Sequence, residues 1–264
     1  MTNTECSINP GRLEIFDSHA HYDDAAFADD LADLVAEMKE NGVTGIINGA
    51  VDYDSCEKCI ALCDRYDLFY TAVGVHPENL YADARLDRER LIRLAQHPKV
   101  VAIGEIGLDY HWDTFPRDYQ KQWFADQLLL ANELQLPVIV HDREAHGDTM
   151  ELLKAHRPAG VVHCFSGSCE MAEELIKLGM YLGIGGVITF QNARKTVEVV
   201  KELPLNRLLL ETDAPYLSPV PMRGKRCRSD YISFTAERIA EIKGISPKEV
   251  LEASRANIHT LFGI

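Results

Sequence analysis

The sequence predicts a single (β/α)₈ barrel of the α/β class. Short apolar runs rich in β-branched residues alternate with longer stretches of helical periodicity, and this unit recurs along the whole chain. The 264 residues suit one such barrel, which typically takes about 250 residues. No long linker, low-complexity tract or shift in composition divides the chain. We therefore expect one domain over residues 1–264.

The strand candidates are eight short runs dominated by Val, Ile and Leu. They span 13–17, 43–49, 68–75, 100–105, 137–141, 160–163, 181–184 and 207–211. A helical pattern follows each run, and two further helices, over 231–243 and 246–261, follow the eighth. Eight such units favour a closed barrel over a doubly wound open sheet. The glycine-rich loop that would support a dinucleotide-binding open sheet is missing from the sequence.

Composition and charge restrict the partners that the protein can have. The net charge is −14, so a broad basic surface for coating nucleic acid is excluded, and any contact with a polyanion must be local. No apolar run approaches the roughly 20 residues of a membrane span, and the amino terminus lacks a signal-peptide pattern. The odd count of seven cysteines fits reduced thiols. We expect a cytoplasmic protein with no membrane association and no obligate protein partner.

Candidate metal ligands lie at the carboxyl ends of five predicted strands, where barrel active sites are found. They are His19, His21, Glu105, His141, His163 and Asp213. Burying so many polar groups in one mouth is costly unless a cation compensates them. Alternate residues of a strand share a face, so His19 and His21 can converge on one ion. Six ligands exceed one tetrahedral zinc site but suit two divalent cations about 3.5–4 Å apart with a carboxylate between them.

Such a cluster predicts metal-assisted hydrolysis. Two carboxylates and two divalent ions leave a formal charge of about +2, which attracts anionic substrates and acidifies a bound water molecule. Imidazole ligands favour zinc, manganese, cobalt or iron over magnesium. Glu211 shares a strand face with Asp213, which leaves open a catalytic role or an ion pair inside the barrel.

A basic loop follows the eighth strand. Arg223, Lys225, Arg226 and Arg228 place four cations within six residues of an otherwise acidic chain. On the rim of the barrel mouth they could hold phosphates next to the metals. The alternative is an ordinary solvated loop.

Five motifs together resemble those of the TatD family of metal-dependent deoxyribonucleases. In order they are DSHAH at 17–21, GVHP at 74–77, GEIGLDY at 104–110, HCFSG at 163–167 and ETDAPY at 211–216. The H-x-H element alone would indicate only the wider amidohydrolase superfamily. All five motifs in register, from about residue 15 to the carboxyl terminus, are highly specific.

The resemblance implies particular roles for these residues. His19, His21, Glu105 and Asp213 would hold one metal, and Glu105 would bridge to a second metal held by His141 and His163. It also implies magnesium-supported activity and a position for His76 near the scissile phosphate. Phosphate contacts would come from Ser166, Gly167 and Arg223. The chain departs from the common pattern at Met222, where His or Tyr is usual, and at residues 227–229, where Cys-Arg-Ser replaces the usual Asn, Glu or Gln followed by Pro.

The function expected on these grounds is hydrolysis of phosphodiester bonds in DNA, as a 3′-to-5′ exonuclease on single strands. Two divalent cations (Mg, Zn or Mn) would activate the water, and Asp213 would accept its proton. One alternative is an amidohydrolase acting on a carbonyl, such as a lactonase, a cyclic amidase or a D-aminoacyl-tRNA deacylase. The other is a non-catalytic metal-binding scaffold.

Overall fold

The computed structural model describes residues 14–112 and 114–264, in which eight strands alternate with helices. The strands are β1 Ile15–Ala20, β2 Val43–Gly49, β3 Phe69–Val73, β4 Val100–Asp109, β5 Val138–Arg143, β6 Gly160–Val162, β7 Tyr181–Ile184 and β8 Leu208–Leu210. The helices are α1 Leu31–Glu40, α2 Tyr53–Arg65, α3 Arg88–Leu94, α4 Arg117–Leu134, α5 His146–His156, α6 Cys169–Lys177, α7 Arg194–Glu202, α8 Ile232–Lys243 and α9 Pro247–Phe262. The predicted start of the first strand at residue 13 lies outside the described residues.

The strands form one parallel sheet in the order β1 to β8. Hydrogen bonds between the first strand and the end of the last one bring the two edges together. Ser18 Oγ donates to the Leu210 carbonyl at 3.0 Å, and the Asp213 amide donates to the His19 carbonyl at 3.0 Å. The predicted (β/α)₈ barrel is therefore confirmed, and the doubly wound open sheet is rejected.

Three strands run further than predicted. The first reaches Ala20 instead of residue 17, the fourth reaches Asp109 instead of residue 105, and the fifth reaches Arg143 instead of residue 141. The extra part of β4 is paired with β5, where Gly107 lies opposite His141 and Asp109 lies opposite Arg143. Because of these extensions, His19 and Glu105 lie within strands, where the sheet fixes their backbone.

The apolar core has two parts, one inside the barrel and one between the barrel and its helices. The inner part takes side chains from the amino-terminal halves of the strands, such as Phe16, Val101 and Ile139, and is joined by Ile258 and Phe262 of α9. Each fully buried side chain of this size contributes roughly 1.5–3 kcal/mol to folding. Because apolar side chains fill the amino-terminal end of the barrel, the polar residues are left to the carboxyl-terminal mouth.

The last helix supplies hydrogen bonds to backbone groups of the short eighth strand. Ser246 and Glu249 form a capping box at its start, with Pro247 in the first turn. From the body of α9, Ser254 Oγ accepts a hydrogen bond from the Leu210 amide, and Asn257 donates to the Leu205 and Leu208 carbonyls. Within residues 14–112 and 114–264, no helix combines the length and apolar character needed to cross a bilayer.

Candidate metal centre

The predicted metal ligands come together at the carboxyl-terminal mouth of the barrel. His19 lies in β1 and His21 just beyond it, Glu105 lies in β4, and His141 lies in β5. His163 follows β6 directly, and Asp213 lies three residues after β8. Each of these side chains comes within 4 Å of at least one other member of the set. The residues that the sequence placed at five separate strand ends therefore form one cluster.

Local irregularities in two strands aim the ligands into the mouth. The register of β1 against β2 shifts between Asp17 and Ala20, and that of β4 against β5 shifts between Ile103 and Ile106. Such bulges turn a side chain away from its regular alternation. The His19 ring also needs Gly49 on the neighbouring strand, because a Cβ there would lie 2.5 Å from His19 Cε1.

The two carboxylate oxygens of Glu105 face two different groups of ligands. Its Oε2 lies 3.3 Å from His19 Nε2 and 3.5 Å from His21 Nε2. The carboxylate of Asp213 completes this first group, with Oδ1 3.3 Å from His21 Nε2 and 3.7 Å from His19 Nε2. The first group therefore offers two imidazoles and two carboxylates to one position.

The second group surrounds Glu105 Oε1. This oxygen lies 2.7 Å from His163 Nε2, 2.9 Å from His141 Nδ1 and 3.4 Å from His76 Nε2. His163 also lies near the first group, since its ligand atom falls within 4.8 Å of those of His19 and Asp213. Glu105 is thus the side chain that the two groups share.

Hydrogen bonds on the outer sides of the rings prepare the inner nitrogens to bind cations. His21 Nδ1 lies 2.8 Å from the Gly49 carbonyl, so it carries the proton and leaves the Nε2 lone pair facing the centre. His141 Nε2 lies 2.9 Å from Asp109 Oδ2, which leaves Nδ1 for the centre. The inner nitrogens of His19 and His21 lie only 3.1 Å apart. Lone pairs that converge at this spacing, beside two carboxylates, fit divalent cations.

The pKa values of these groups follow from burial and from their mutual contacts. Burial would lower the pKa of His141, but its hydrogen bonds to Asp109 and Glu105 raise it to about 10. Burial would likewise lower the pKa of His21, but its contacts with Asp213 and Glu105 outweigh burial and raise the pKa to about 9. Burial also opposes ionisation of Glu105, but the surrounding histidines hold its pKa well below the usual range. Protons on histidine therefore balance the carboxylates where no cation does so.

Asp17 supports the centre from below, a role that the sequence did not reveal. Its carboxylate is fully buried and accepts hydrogen bonds from Thr212 Oγ1 at 2.6 Å and from Ser229 Oγ at 2.7 Å. It also accepts from the backbone amides of His19 and Thr212. Ser229 belongs to the segment that departs from the family pattern, and it contacts this buried carboxylate.

Glu211 is placed differently from Asp213. It is fully buried, and its Oε1 accepts a hydrogen bond from the Cys164 amide, next to His163. Gly183 makes room for it, because a Cβ there would lie 2.2 Å from Glu211 Oε2. In the described part of the chain Glu211 forms no ion pair and does not line the cavity. These contacts support a positioning role for the turn at His163, and a catalytic role remains an untested prediction.

A cavity of about 1020 Å³ opens above the ligands. His76 and Ser166 line it, whereas Gly167 is buried and a Cβ there would collide with Phe165 and Met171. The wall also carries six carboxylates outside the ligand set, which are Asp23, Asp24, Asp52, Asp54, Glu78 and Asp142. Two cationic side chains, Lys58 and Arg143, accompany them.

The basic loop does not face this cavity. Arg226 forms a two-pronged ion pair with Asp30, with nitrogen–oxygen distances of 2.9 and 2.5 Å. Arg228 is held by Asp230 and Glu37 at 2.6 and 3.0 Å. Neither guanidinium lines the cavity, so the prediction that they contact phosphate beside the metals finds no support in the structure. Both arginines pair with carboxylates of the chain itself, whereas the sequence had suggested that they pair with phosphate.

Arg223 lies elsewhere in the same loop. Its guanidinium carbon lies 3.9 Å from the centroid of the Phe190 ring, in a separate shallow depression bounded by Ser218 and Lys225. Within the described residues, neither Arg223 nor Lys225 forms an ion pair. The predicted contact of Arg223 with substrate therefore remains a prediction, at a place outside the main cavity.

The fold and the centre together define a metal-dependent hydrolase, because a parallel barrel presents a bridged set of imidazole and carboxylate ligands at its catalytic edge. Residues 16–263 match the protein family described as TatD related DNase. The chain belongs to this family, as the five motifs predicted.

Relatives match the chain over nearly its full length. The uncharacterized metal-dependent hydrolase YabD of Bacillus subtilis is 42% identical over 253 residues, which cover 95% of this chain and 99% of YabD. A protein of Citrobacter koseri named 3′-5′ ssDNA/RNA exonuclease TatD is 33% identical over 258 residues, with 95% and 99% covered. The crystal structure of YjjV, a TatD homolog from Escherichia coli K12, gives a TM-score of 0.90 at 34% identity and covers 96% of this chain and 100% of YjjV.

Besides Asp17, three residues near the centre were not predicted from the sequence. Asp109 orients His141, and Trp112 and Tyr216 expose aromatic rings in the cavity. Asp109 follows Glu105 and Gly107 at intervals of two residues in β4, and that alternation could have indicated a shared face. The two aromatic residues carry no comparable signal, since loop aromatics in a sequence are as often buried as exposed.

Proposed function

We propose that this protein hydrolyses phosphodiester bonds of single-stranded DNA from the 3′ end, at a centre that holds two divalent cations. The observation that carries the proposal is the position of Glu105, whose two oxygens face two separate groups of ligands. A carboxylate shared in this way is the arrangement by which two-metal hydrolases hold their ions close together. The cations would supply an activated water molecule and charge stabilisation for the phosphoryl group.

The ligands of the chain fit zinc or manganese by their imidazole content, and the family resemblance favours magnesium. We propose that the centre accepts more than one of these ions, because it combines four imidazoles with two carboxylates. The relative YabD is named a metal-dependent hydrolase, which supports metal dependence of this chain. The number and identity of the ions are part of this proposal.

In this proposal, Asp213 accepts the proton of the attacking water molecule. Burial disfavours its charged form, but the hydrogen bond and charge of His21 hold its pKa below the usual value. It is therefore a carboxylate at neutral pH. Its side chain lies beside His21 and lines the cavity, so it can reach a substrate atom above the ligands.

In this proposal, His76 donates a hydrogen bond to the substrate. Its Nδ1 accepts a hydrogen bond from the Glu78 amide at 3.2 Å, so the ring proton is on Nε2. Burial lowers the pKa of His76, which keeps the ring neutral. The Nε2 atom lies 3.4 Å from Glu105 Oε1, at the floor of the cavity. A donor at this point can stabilise the charge that develops on a phosphoryl oxygen.

The proposals that the substrate is DNA and that cleavage starts at the 3′ end rest on similarity to the family and its relatives. The family description names a DNase, and the Citrobacter relative is named a 3′-5′ exonuclease of single-stranded DNA and RNA. A second candidate is a hydrolase of uncharged carbonyl compounds, such as lactones. The six carboxylates on the cavity wall favour that candidate, because they repel an extended polyanion.

An assay of reconstituted protein separates these candidates. Metal-free protein would be loaded with Mg²⁺, Mn²⁺ or Zn²⁺ and offered single-stranded DNA labelled at the 5′ end, alongside lactones and aminoacyl esters. We expect progressive shortening of the labelled strand, and abolition of this activity in Asp213→Asn. Turnover of a lactone with intact DNA would establish the carbonyl candidate instead. A loaded protein that turns over none of these substrates would indicate a scaffold.

A further inference from the structure

The wall charges of the cavity pose a problem for binding a nucleic acid. Carboxylates such as Asp24, Asp52 and Asp54 outnumber the two cations Lys58 and Arg143. Arg226 and Arg228 are occupied by carboxylates of the chain. Phosphates away from the metal centre therefore gain little attraction from the cavity wall. If a nucleic acid binds here, much of its affinity must come from another part of the nucleotide.

Two aromatic side chains of the cavity supply such a source. Trp112 is 59% exposed and Tyr216 is 54% exposed, and both line the cavity. The other tryptophan of the chain, Trp123, is only 2% exposed. Large aromatic rings left open in a polar mouth offer flat apolar surface to a ligand. Nucleobases have the complementary flat faces, and they stack on such rings with little sequence preference.

The two rings are carried by loops that leave opposite sides of the barrel. Trp112 belongs to the loop after β4, and Tyr216 belongs to the loop after β8. In a barrel of eight strands, the fourth and eighth strands are separated by half the circumference. A phosphate at the metal centre would therefore have one ring on the side of each of its neighbouring nucleosides.

The backbone amides of both residues are bonded to residues of the centre. The Trp112 amide donates to Asp109 Oδ1 at 3.1 Å, and Asp109 also orients His141. The Tyr216 amide donates to the Asp213 carbonyl at 2.8 Å, and its hydroxyl donates to Asp24 Oδ2 at 3.0 Å. The Tyr216 ring is thus held in place before substrate arrives, and the backbone that carries the Trp112 ring is fixed relative to the ligands. Preorganised contacts of this kind cost less ordering on binding.

We propose that Trp112 and Tyr216 are nucleobase-binding platforms, one on each side of the scissile phosphate. The proposal rests on the proposed function and deepens it, because it makes unpaired, unstacked bases a requirement for the substrate. A base in a duplex is stacked on its neighbours and cannot lie on either ring without leaving the helix. Selection for single strands then follows from the shape of the mouth.

The test compares loss of a ring with loss of a base. Trp112→Ala and Tyr216→Ala would be assayed on a 5′-labelled oligothymidylate and on oligomers with an abasic residue at the last or the penultimate position. We expect KM to rise by about 5- to 150-fold for each ring, the effect of one stacked base. Trp112→Phe and Tyr216→Phe retain a ring and should recover most of the loss. Leu129→Ala, which removes another exposed apolar side chain from α4, is the matched control and should resemble the wild type.

The combination of variant and substrate gives the sharpest outcome. An abasic residue should harm the wild type, and it should cause little further harm in the variant whose ring served that base. Independent, multiplicative losses would overturn the proposal, as would alanine variants that behave like Leu129→Ala. Failure of the wild type to cleave any oligonucleotide would instead count against the proposed function.

Binding without cleavage separates the two claims further. A phosphorothioate oligothymidylate should quench the fluorescence of Trp112 in the wild type, and the quenching should be lost in Trp112→Phe, where only the buried Trp123 remains. Quenching by the phosphorothioate without cleavage of the unmodified oligothymidylate would support the platforms and contradict the nuclease. Cleavage without quenching would contradict the Trp112 platform and leave the nuclease standing.

Discussion

Asp109 holds His141 from the side that faces away from the metal centre, with Oδ2 2.9 Å from Nε2. The opposite nitrogen of the ring, Nδ1, lies 2.9 Å from Glu105 Oε1. A carboxylate behind a ligating imidazole fixes its tautomer and increases its basicity. Asp109 is buried and also accepts hydrogen bonds from the amides of His111 and Trp112, so its own position is well fixed.

Loss of this carboxylate should weaken metal binding at the second group of ligands. We expect Asp109→Asn to reduce the affinity for one of the two cations by about 10- to 100-fold, the range seen when partners of ligating histidines are changed. Calorimetric titration of the metal-free protein with the cation measures this affinity. Asp118→Asn, at an exposed site on α4, is the control. Equal affinities in the two variants would show that His141 needs no support from Asp109.

Metal binding should release protons at pH 8. In the metal-free protein, hydrogen bonds and neighbouring carboxylates overcome burial and raise the pKa of His21 to about 9 and that of His141 to about 10. Both are therefore protonated at pH 8, and a cation must displace a proton from each. Calorimetry in buffers of different ionisation enthalpy counts these protons. Asp109→Asn should lower the pKa of His141 and reduce the count, and an unchanged count would contradict this account of the shift.

Glu105→Gln should be the most damaging single change in the centre. It removes the charge that the two groups of ligands share, and it leaves two cations without a carboxylate between them. We expect turnover to fall by at least about 10³-fold, the scale of lost electrostatic stabilisation, and bound metal to fall below two equivalents. Glu78→Gln removes a carboxylate from the same cavity wall and should stay within a few-fold of the wild type. Two bound metals and near wild-type turnover in Glu105→Gln would refute the bridge.

Arg226 and Arg228 of the basic loop should matter for stability and not for phosphate binding. Arg226→Ala breaks a partly exposed ion pair and should cost at most about 1 kcal/mol. Arg228→Ala removes charged hydrogen bonds in a less exposed setting and should cost about 1–3 kcal/mol. Chemical unfolding measures both. The slope of log affinity against log salt concentration for single-stranded DNA should be the same in the variants as in the wild type. A slope that becomes shallower by about 0.7 for each arginine removed would support the predicted phosphate contacts.

Most of the fold could be predicted because its signals are local. The eight apolar runs, the helices between them and the capping box of α9 can all be recognised in short windows of sequence. The extension of β4 to Asp109 could not, because it depends on pairing with β5, and glycines in the window weaken the strand pattern. Long-range pairing decides such boundaries.

The cluster of candidate ligands could be predicted because its members are costly to bury and lie at a known edge of the fold. The ion pairs of the basic loop could not be predicted in the same way. Asp30 and Glu37 are far from the loop in sequence, and nothing in the local sequence indicates that Asp230 pairs with an arginine. Position on the rim does not fix where a long arginine side chain points. The same limit hid Asp17, whose burial beneath the centre depends on contacts with Thr212 and Ser229, some 200 residues away.

The most direct test of the two-metal centre is a titration in which bound metal and turnover are measured on the same samples. Metal-free protein would receive increasing equivalents of Mn²⁺, and the rate on 5′-labelled single-stranded DNA would be recorded with the metal content after removal of free ion. If Glu105 joins two sites, the rate should remain low through the first equivalent and rise as the second is bound, to saturate near two. Full activity at one bound equivalent, with no further rise, would contradict the central claim.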